Sequence, residues 1–417
     1  MTLSEARPTG CPVHAASDDL VDPHFYTGGD ARRVWQELRA LDRLSWHQVD
    51  EHRGFWSVVK YHDADRVLRD YATFTSERGT LLELLGTDDP AGGQQLAVTD
   101  PPRHTSRQAQ LKKALARKSV DRQRDMIRPL VIDLLAPLAD RGVFDFGRAM
   151  LAMPMSVTGT MMGLPPADWP ALTRLTTQCI AADDPDFQEP GGKTATLETA
   201  HRELFAYFQD LVRFRGDHLG DDLLSVLIST RFEGRRMSPG EVVANCYSLL
   251  LGANVTTPHA PTFALAELPG TGVLEDWAAH PELTTSGMEE ALRWASPVNH
   301  VLRYATKDTV LRNTPIEAGQ AVVVWLGSAN RDEDVFAEPH TFDIRRRPNK
   351  HLAFGIGPHY CVGHSVARVS LKILFHELFA RYEGFESASA PERLISNFAS
   401  GYKSVPITAR PRKGKTA

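Results

Sequence analysis

Phe354-Gly355-Ile356-Gly357-Pro358-His359-Tyr360-Cys361-Val362-Gly363 is the stretch on which the reading of this chain turns. It sets one cysteine among three glycines, directly ahead of a long stretch of helical periodicity, residues 364–382. Gly355, Gly357 and Gly363 carry no Cβ, so the chain can turn tightly and another group can approach the Cys361 sulfur closely. A helix that opens just after Cys361 points its positive end at that sulfur and favours the thiolate.

These are the features that a thiolate ligand to haem iron requires. Backbone N–H groups of the loop restrain the charge that the sulfur donates. Phe354 supplies an apolar lid on the sulfur side, and His359, two residues upstream, can meet a haem propionate. The other cysteines, Cys11, Cys179 and Cys246, form no CxxC pair and no Cys/His cluster of zinc spacing. Four free thiols are expected, three of them structural.

Outward from the loop, most of the chain reads as amphipathic helix. Residues 31–44 have helical spacing, and residues 56–68 begin as an alternating run and turn helical after His62. Residues 74–99 break the pattern and predict a long ordered loop. Helices resume after Pro101-Pro102, with a basic run from Arg107 to Arg128. Residues 164–193, rich in Pro, Asp and Gly, predict a flexible connection. Ser238-Pro239-Gly240-Glu241 has the form of a capped helix start. The helix it opens, residues 241–257, is apolar nearly all round and therefore interior. Short strands are expected in residues 301–306, 309–313 and 321–326, and a hairpin in residues 397–410. The fold class is mainly α with small β-sheets. No βαβ alternation and no Gly-rich dinucleotide loop is present.

The chain has 417 residues, and 47 Lys and Arg face 52 Asp and Glu, a formal charge of −5. No basic excess points to nucleic acid. No apolar run at the N-terminus has the length of a signal peptide or membrane anchor. One large domain over residues 21–410 is expected, between tails at 1–20 and 411–417, in a cytoplasmic monomer.

The cysteine loop resembles the haem-binding loop of the cytochrome P450 family, F-G-x-G-x-[HR]-x-C-x-G, at every fixed position. The resemblance extends from about Phe25 to Ile407. Glu290-Ala291-Leu292-Arg293 is similar to the family's helix pair, which implies a structural ion-pair network with the segment around Arg345 to Arg347. Arg303 matches the strand arginine that binds a haem propionate, and His104, in Asp100-Pro101-Pro102-Arg103-His104-Thr105, matches a histidine that reaches another. The family's arginine four residues after that histidine is replaced by Gln108, with Arg107 one position earlier. Leu251-Gly252-Ala253-Asn254-Val255-Thr256-Thr257 is similar to the oxygen-binding segment of the family. Gly252 and Ala253 would leave room over the iron, and Thr256 takes the position of the oxygen-pocket hydroxyl, with Thr257 beside it. Its hydroxyl can bond a carbonyl three or four residues back, and Pro258 leaves the carbonyl of Asn254 without its N–H partner. Val255 stands where the family has an acid, so Asn254, water at the kink or a substrate group is expected to carry protons.

The resemblance implies haem b as cofactor and a monooxygenase reaction, in which dioxygen is split and one atom enters a small organic molecule. NADPH or NADH would act indirectly, through a ferredoxin docking near Arg107, Lys112 and Lys113. Segments near Thr80–Gln95, Thr176–Lys193, Val298–Val301 and Phe398–Tyr402 would face a mid-sized, partly polar substrate, free or bound to a carrier protein. His300 is either a substrate partner or a structural histidine. Two other readings stay open: oxidative coupling without oxygen insertion, and a non-catalytic haem ligand-binding or sensor protein, which Val255 keeps alive.

Overall fold

Apolar residues at helical spacing dominate the sequence, and the computed structural model of the chain packs them as helices beside one small sheet. It describes residues 20–115, 117–140, 142–232 and 234–412, without the side chains of 113, 114, 117–123 and 232. The longer helices are α1 (Ala31–Arg39), α2 (Tyr61–Arg69), α3 (Arg103–Ala114), α4 (Arg117–Leu135), α5 (Phe146–Met162), α6 (Trp169–Gln178), α7 (Gly192–Gly216), α8 (Leu223–Ser229), α9 (Pro239–Asn254), α10 (His259–Glu267), α11 (Val273–Ala279), α12 (Thr284–Ala295) and α13 (His364–Arg381). The main sheet holds β1 (Ser45–Gln48), β2 (Gly54–Val58), β3 (Phe74–Thr75), β4 (His300–Ala305) and β5 (Ala321–Trp325), in the order β1-β2-β5-β4-β3. β5 runs parallel to β2 and antiparallel to β4, with Val322 opposite Arg303.

α9 starts where the sequence places it. The Ser238 hydroxyl accepts the Glu241 N–H at 3.2 Å, and the Glu241 carboxylate accepts the Ser238 N–H at 2.8 Å. Such a cap contributes about 1 kcal/mol. Val242, Val243, Cys246 and Leu250 are then buried against the helical core. The helix ends at Asn254, three residues short of the expected end, because Pro258 offers no N–H to continue it.

Glu290 and Arg293 are both fully buried and bonded at 2.7 Å, and Arg346 joins Glu290 at 3.1 Å. Arg293 also donates to the carbonyls of Asn330 and Pro339. The network ties α12 to the chain leading into the cysteine loop. Leu352, in that chain, donates its N–H to Asn330 Oδ1 at 2.6 Å.

Three expectations need correction. Residues 164–193 are not a flexible connection: they contain α6, whose Pro170 lies in the first turn, where a missing N–H is harmless. The rest of the segment is tied down by Gln178 bonding the Phe187 carbonyl and Lys403 bonding Asp184. α1 stops at Arg39, because Leu44 already joins the sheet side, its N–H on Thr314 Oγ1. The last strands do not pair with each other: Tyr402–Ser404 pairs with Glu392–Arg393, and Pro406–Pro411 with Tyr382–Ser387. Cys11 lies outside the described residues, while Cys179, Cys246 and Cys361 are free thiols.

Candidate active site

A cavity of about 660 Å³ separates α9 from the cysteine loop. Cys361 lines it from the loop, and Gly252, Ala253, Val255, Thr256 and Thr257 line it from α9 and its end. The loop is held by its own backbone: the Cys361 N–H donates to the Phe354 carbonyl at 2.9 Å, and Gly355 N–H to Leu352 at 2.8 Å. Gly355 and Gly357 have φ of 67° and 77°. A Cβ at Gly357 would stand 2.6 Å from the Leu68 carbonyl, so only glycine lets the loop lie on α2.

Burial raises the Cys361 pKa, opposed by the N–H groups of Gly363 and His364 and by the Arg368 charge. A cationic metal would complete that opposition and deprotonate the thiol. Arg368 lies 4.4 Å over the Phe354 ring, is paired with Glu289 at 2.6 Å and donates to the Tyr360 hydroxyl at 3.0 Å. The sequence reading missed this clamp, because Arg368 meets Glu289 only in the folded chain.

On the α9 side, a Cβ added at Gly252 would meet nothing within 4 Å, so the helix surface there opens on the cavity. The Thr256 hydroxyl donates to the Gly252 carbonyl at 2.9 Å, the local bond its sequence position suggests. Asn254 does not share this face. Its side chain is buried on the far side, Nδ2 resting 3.9 Å from Met155 Sδ and Oδ1 without a partner. It does not line the cavity, so the expected role of Asn254 in proton delivery is withdrawn.

The cavity wall brings together one arginine and two histidines. Arg303 is 3% exposed and makes no ion pair among the described residues; its guanidinium donates to the neighbouring Leu302 carbonyl at 2.8 Å. Burial lowers its pKa to about 10. His104 is buried with Nδ1 unpartnered, and burial, then the His359 charge, lower its pKa to about 4. The His104 and His359 rings lie 4.3 Å apart. His359 has Nε2 3.1 Å from Asp100 Oδ1, a partner not anticipated, so it could meet an anion only through Nδ1. Burial raises the Asp100 pKa, but its bonds from His359, Ser76 and Thr75 outweigh this and bring it to about 2.

A free thiol, an open helix face, an orphaned imidazole nitrogen and an unpaired buried guanidinium together fit a flat iron-porphyrin with two carboxylate arms. Gln108 donates to the Pro358 carbonyl at 3.0 Å and so supports the loop. Arg107 cannot serve as a docking cation: it is buried, 2.9 Å from Glu241, and bonded to the carbonyls of Gly93 and Gln94. Lys112 is exposed on α3, and the side chain of Lys113 lies outside the described residues. His300 is structural on both ring nitrogens: Nε2 accepts the Leu82 N–H at 3.1 Å and Nδ1 meets the Asn397 carbonyl at 3.2 Å.

Residues 275–405 match the family model "Cytochrome P450". Cytochrome P450 NovI of Streptomyces niveus is 33% identical over 411 residues, covering 96% of this chain and 98% of that protein. The steroid C26-monooxygenase of Mycolicibacterium smegmatis is 31% identical, over 94% of this chain and 96% of its own. The crystal structure of P450 OxyD, involved in the biosynthesis of vancomycin-type antibiotics, superposes with a TM-score of 0.83 at 31% identity, covering 94% of this chain and 99% of that one. With the thiol loop and the opened helix face on one cavity, these similarities show that the chain belongs to the cytochrome P450 family, as a haem-dependent monooxygenase.

Proposed function

We propose that the protein hydroxylates, epoxidises or dealkylates a small organic molecule with electrons drawn from NADPH or NADH through a separate ferredoxin. The observation that carries this reading is the pairing of Cys361 with the open face at Gly252 and Thr256 across a single cavity. Haem b, when bound, supplies dioxygen activation, driven by electron donation from the thiolate. The chain's own residues do the rest. Cys361 would hold the iron. Arg303 and His104, with His359 through Nδ1, would hold the propionates. Gly252 and Ala253 leave space, and Thr256 offers a hydroxyl whose proton can pass towards the cavity. Water at the carbonyl of Asn254, freed by Pro258, would take the place of the family's acid at Val255.

Lys112 is an exposed cation of α3, and it supports docking of an acidic ferredoxin near the loop. Lys112→Glu should slow electron transfer and flatten its dependence on salt; an unchanged rate at low ionic strength would remove this placement. No described helix is long and apolar enough to cross a membrane, in keeping with a cytoplasmic enzyme. The biosynthetic setting of P450 OxyD supports a secondary metabolite, free or carrier-bound, as substrate. Turnover with redox partners under labelled dioxygen tests this reading: a product heavier by one labelled oxygen supports insertion, and an unlabelled coupled product would overturn it.

A further inference from the structure

The same cavity has a polar corner that the oxygen chemistry does not use. Tyr247 lies on α9, five residues before Gly252, and lines the cavity. Its ring stacks on Phe205 of α7, centroids 5.0 Å apart, and meets His201 edge-on at 5.9 Å. Its hydroxyl bonds Cys179. Lys193, at the start of α7, lies 3.1 Å from Glu83 and 2.7 Å from Asp183, so those two carboxylates share a cation.

Asp89 does not. It lines the cavity, is half-buried and makes no ion pair among the described residues. Oδ1 accepts the Ala91 N–H at 2.8 Å, while Oδ2 takes part in no hydrogen bond among the described residues. The backbone fixes it in place, with the Gly92 N–H on its carbonyl at 2.9 Å. Arg303 is the one Lys or Arg among the described residues lining the cavity, and it belongs to the propionate cradle. A fixed, half-buried carboxylate on a cavity wall attracts a cation, which also gains from the aromatic faces that line the same cavity, and repels an anion.

We propose that this corner selects a substrate with a protonated amine at one end and an apolar body at the other, with Asp89 as the specificity-determining residue and Tyr247 and Phe205 as its aromatic wall. The inference rests on the reading of this cavity as the oxidation site. It turns the expectation of a partly polar substrate into a sign of charge.

Decyltrimethylammonium, decanoate and decanol test it. The quaternary nitrogen has no lone pair and cannot ligate iron, so its binding reports the corner alone. Affinity is read by the haem absorbance shift and, independently, by equilibrium dialysis. The cation should bind roughly 10-fold or more tighter than decanoate. Asp89→Asn keeps an acceptor for the Ala91 N–H and should remove most of that preference, leaving decanol within about 2-fold of its wild-type affinity. Asp89→Lys should reverse the order. Equal or tighter binding of decanoate to the wild-type protein, or a preference kept in Asp89→Asn, would overturn the proposal. A reduced carbonyl spectrum on the same samples reports the haem-thiolate reading separately. Loss of its red-shifted band would count against that reading, while dialysis would still decide the charge preference.

Discussion

Replacing Arg303 with methionine should move two properties in opposite directions. In the protein without haem the guanidinium is buried with no carboxylate partner among the described residues. The fall of its pKa from 12.5 to about 10 corresponds to on the order of 3 kcal/mol against the charged form. Since the folded value lies below the unfolded one, this penalty is in full force at every pH below about 10, where the side chain is charged in both states. Arg303→Met removes it, along with the bond to Leu302. The haem-free protein should therefore become about 1–3 kcal/mol more stable in urea titration. The haem complex should suffer instead. A charge-assisted bond to a propionate contributes about 1.5–3 kcal/mol, so haem should pass to an acceptor apoprotein roughly 10 to 150 times more readily. Unchanged haem retention, or a haem-free variant less stable than the wild type, would refute the reasoning.

Other outcomes follow from the same geometry. Thr256→Ala should divert reducing equivalents to peroxide and lower product per NADPH several-fold, whereas Asn254→Ala, which faces away from the cavity, should leave that ratio within experimental error. Glu290→Ala strands Arg293 and Arg346 in the interior and should cost about 3–5 kcal/mol, read as a lower Tm and a poor yield of haem-loaded protein. The Asp100 pKa, about 2, lies below the unfolded value, so its contribution to stability is complete above about pH 4 and fades as pH falls towards 2. Acid unfolding of Asp100→Asn should lack that component, a small one because the carboxylate is partly solvated.

Local rules made much of this molecule legible. The cysteine loop is a run of ten residues whose glycines have steric reasons, and the cap of α9 is read from Ser238 and Glu241 alone. Asn254 shows how a correct local pattern was used badly. Residues advance about 100° each along a helix, so Gly252 and Thr256 share a face while a residue two places from either points to the opposite side. Arg107 misled for a different reason: its partner, Glu241, stands 134 positions away, and nothing local distinguishes a buried cation from an exposed one. The Pro, Asp and Gly content of residues 164–193 predicts a flexible connection, whereas Pro170, in a first turn, favours a helix start. Asp89, Tyr247 and Phe205 come from three distant segments, and only the folded chain brings them to one cavity.

The central claim is one bond, from Cys361 to haem iron. The ferrous carbonyl complex of the purified, haem-loaded protein tests it most directly. That complex should show the strongly red-shifted Soret band of thiolate ligation, abolished in Cys361→Ala. A band without that red shift in fully folded wild-type protein, or a red-shifted band that survives Cys361→Ala, would contradict it.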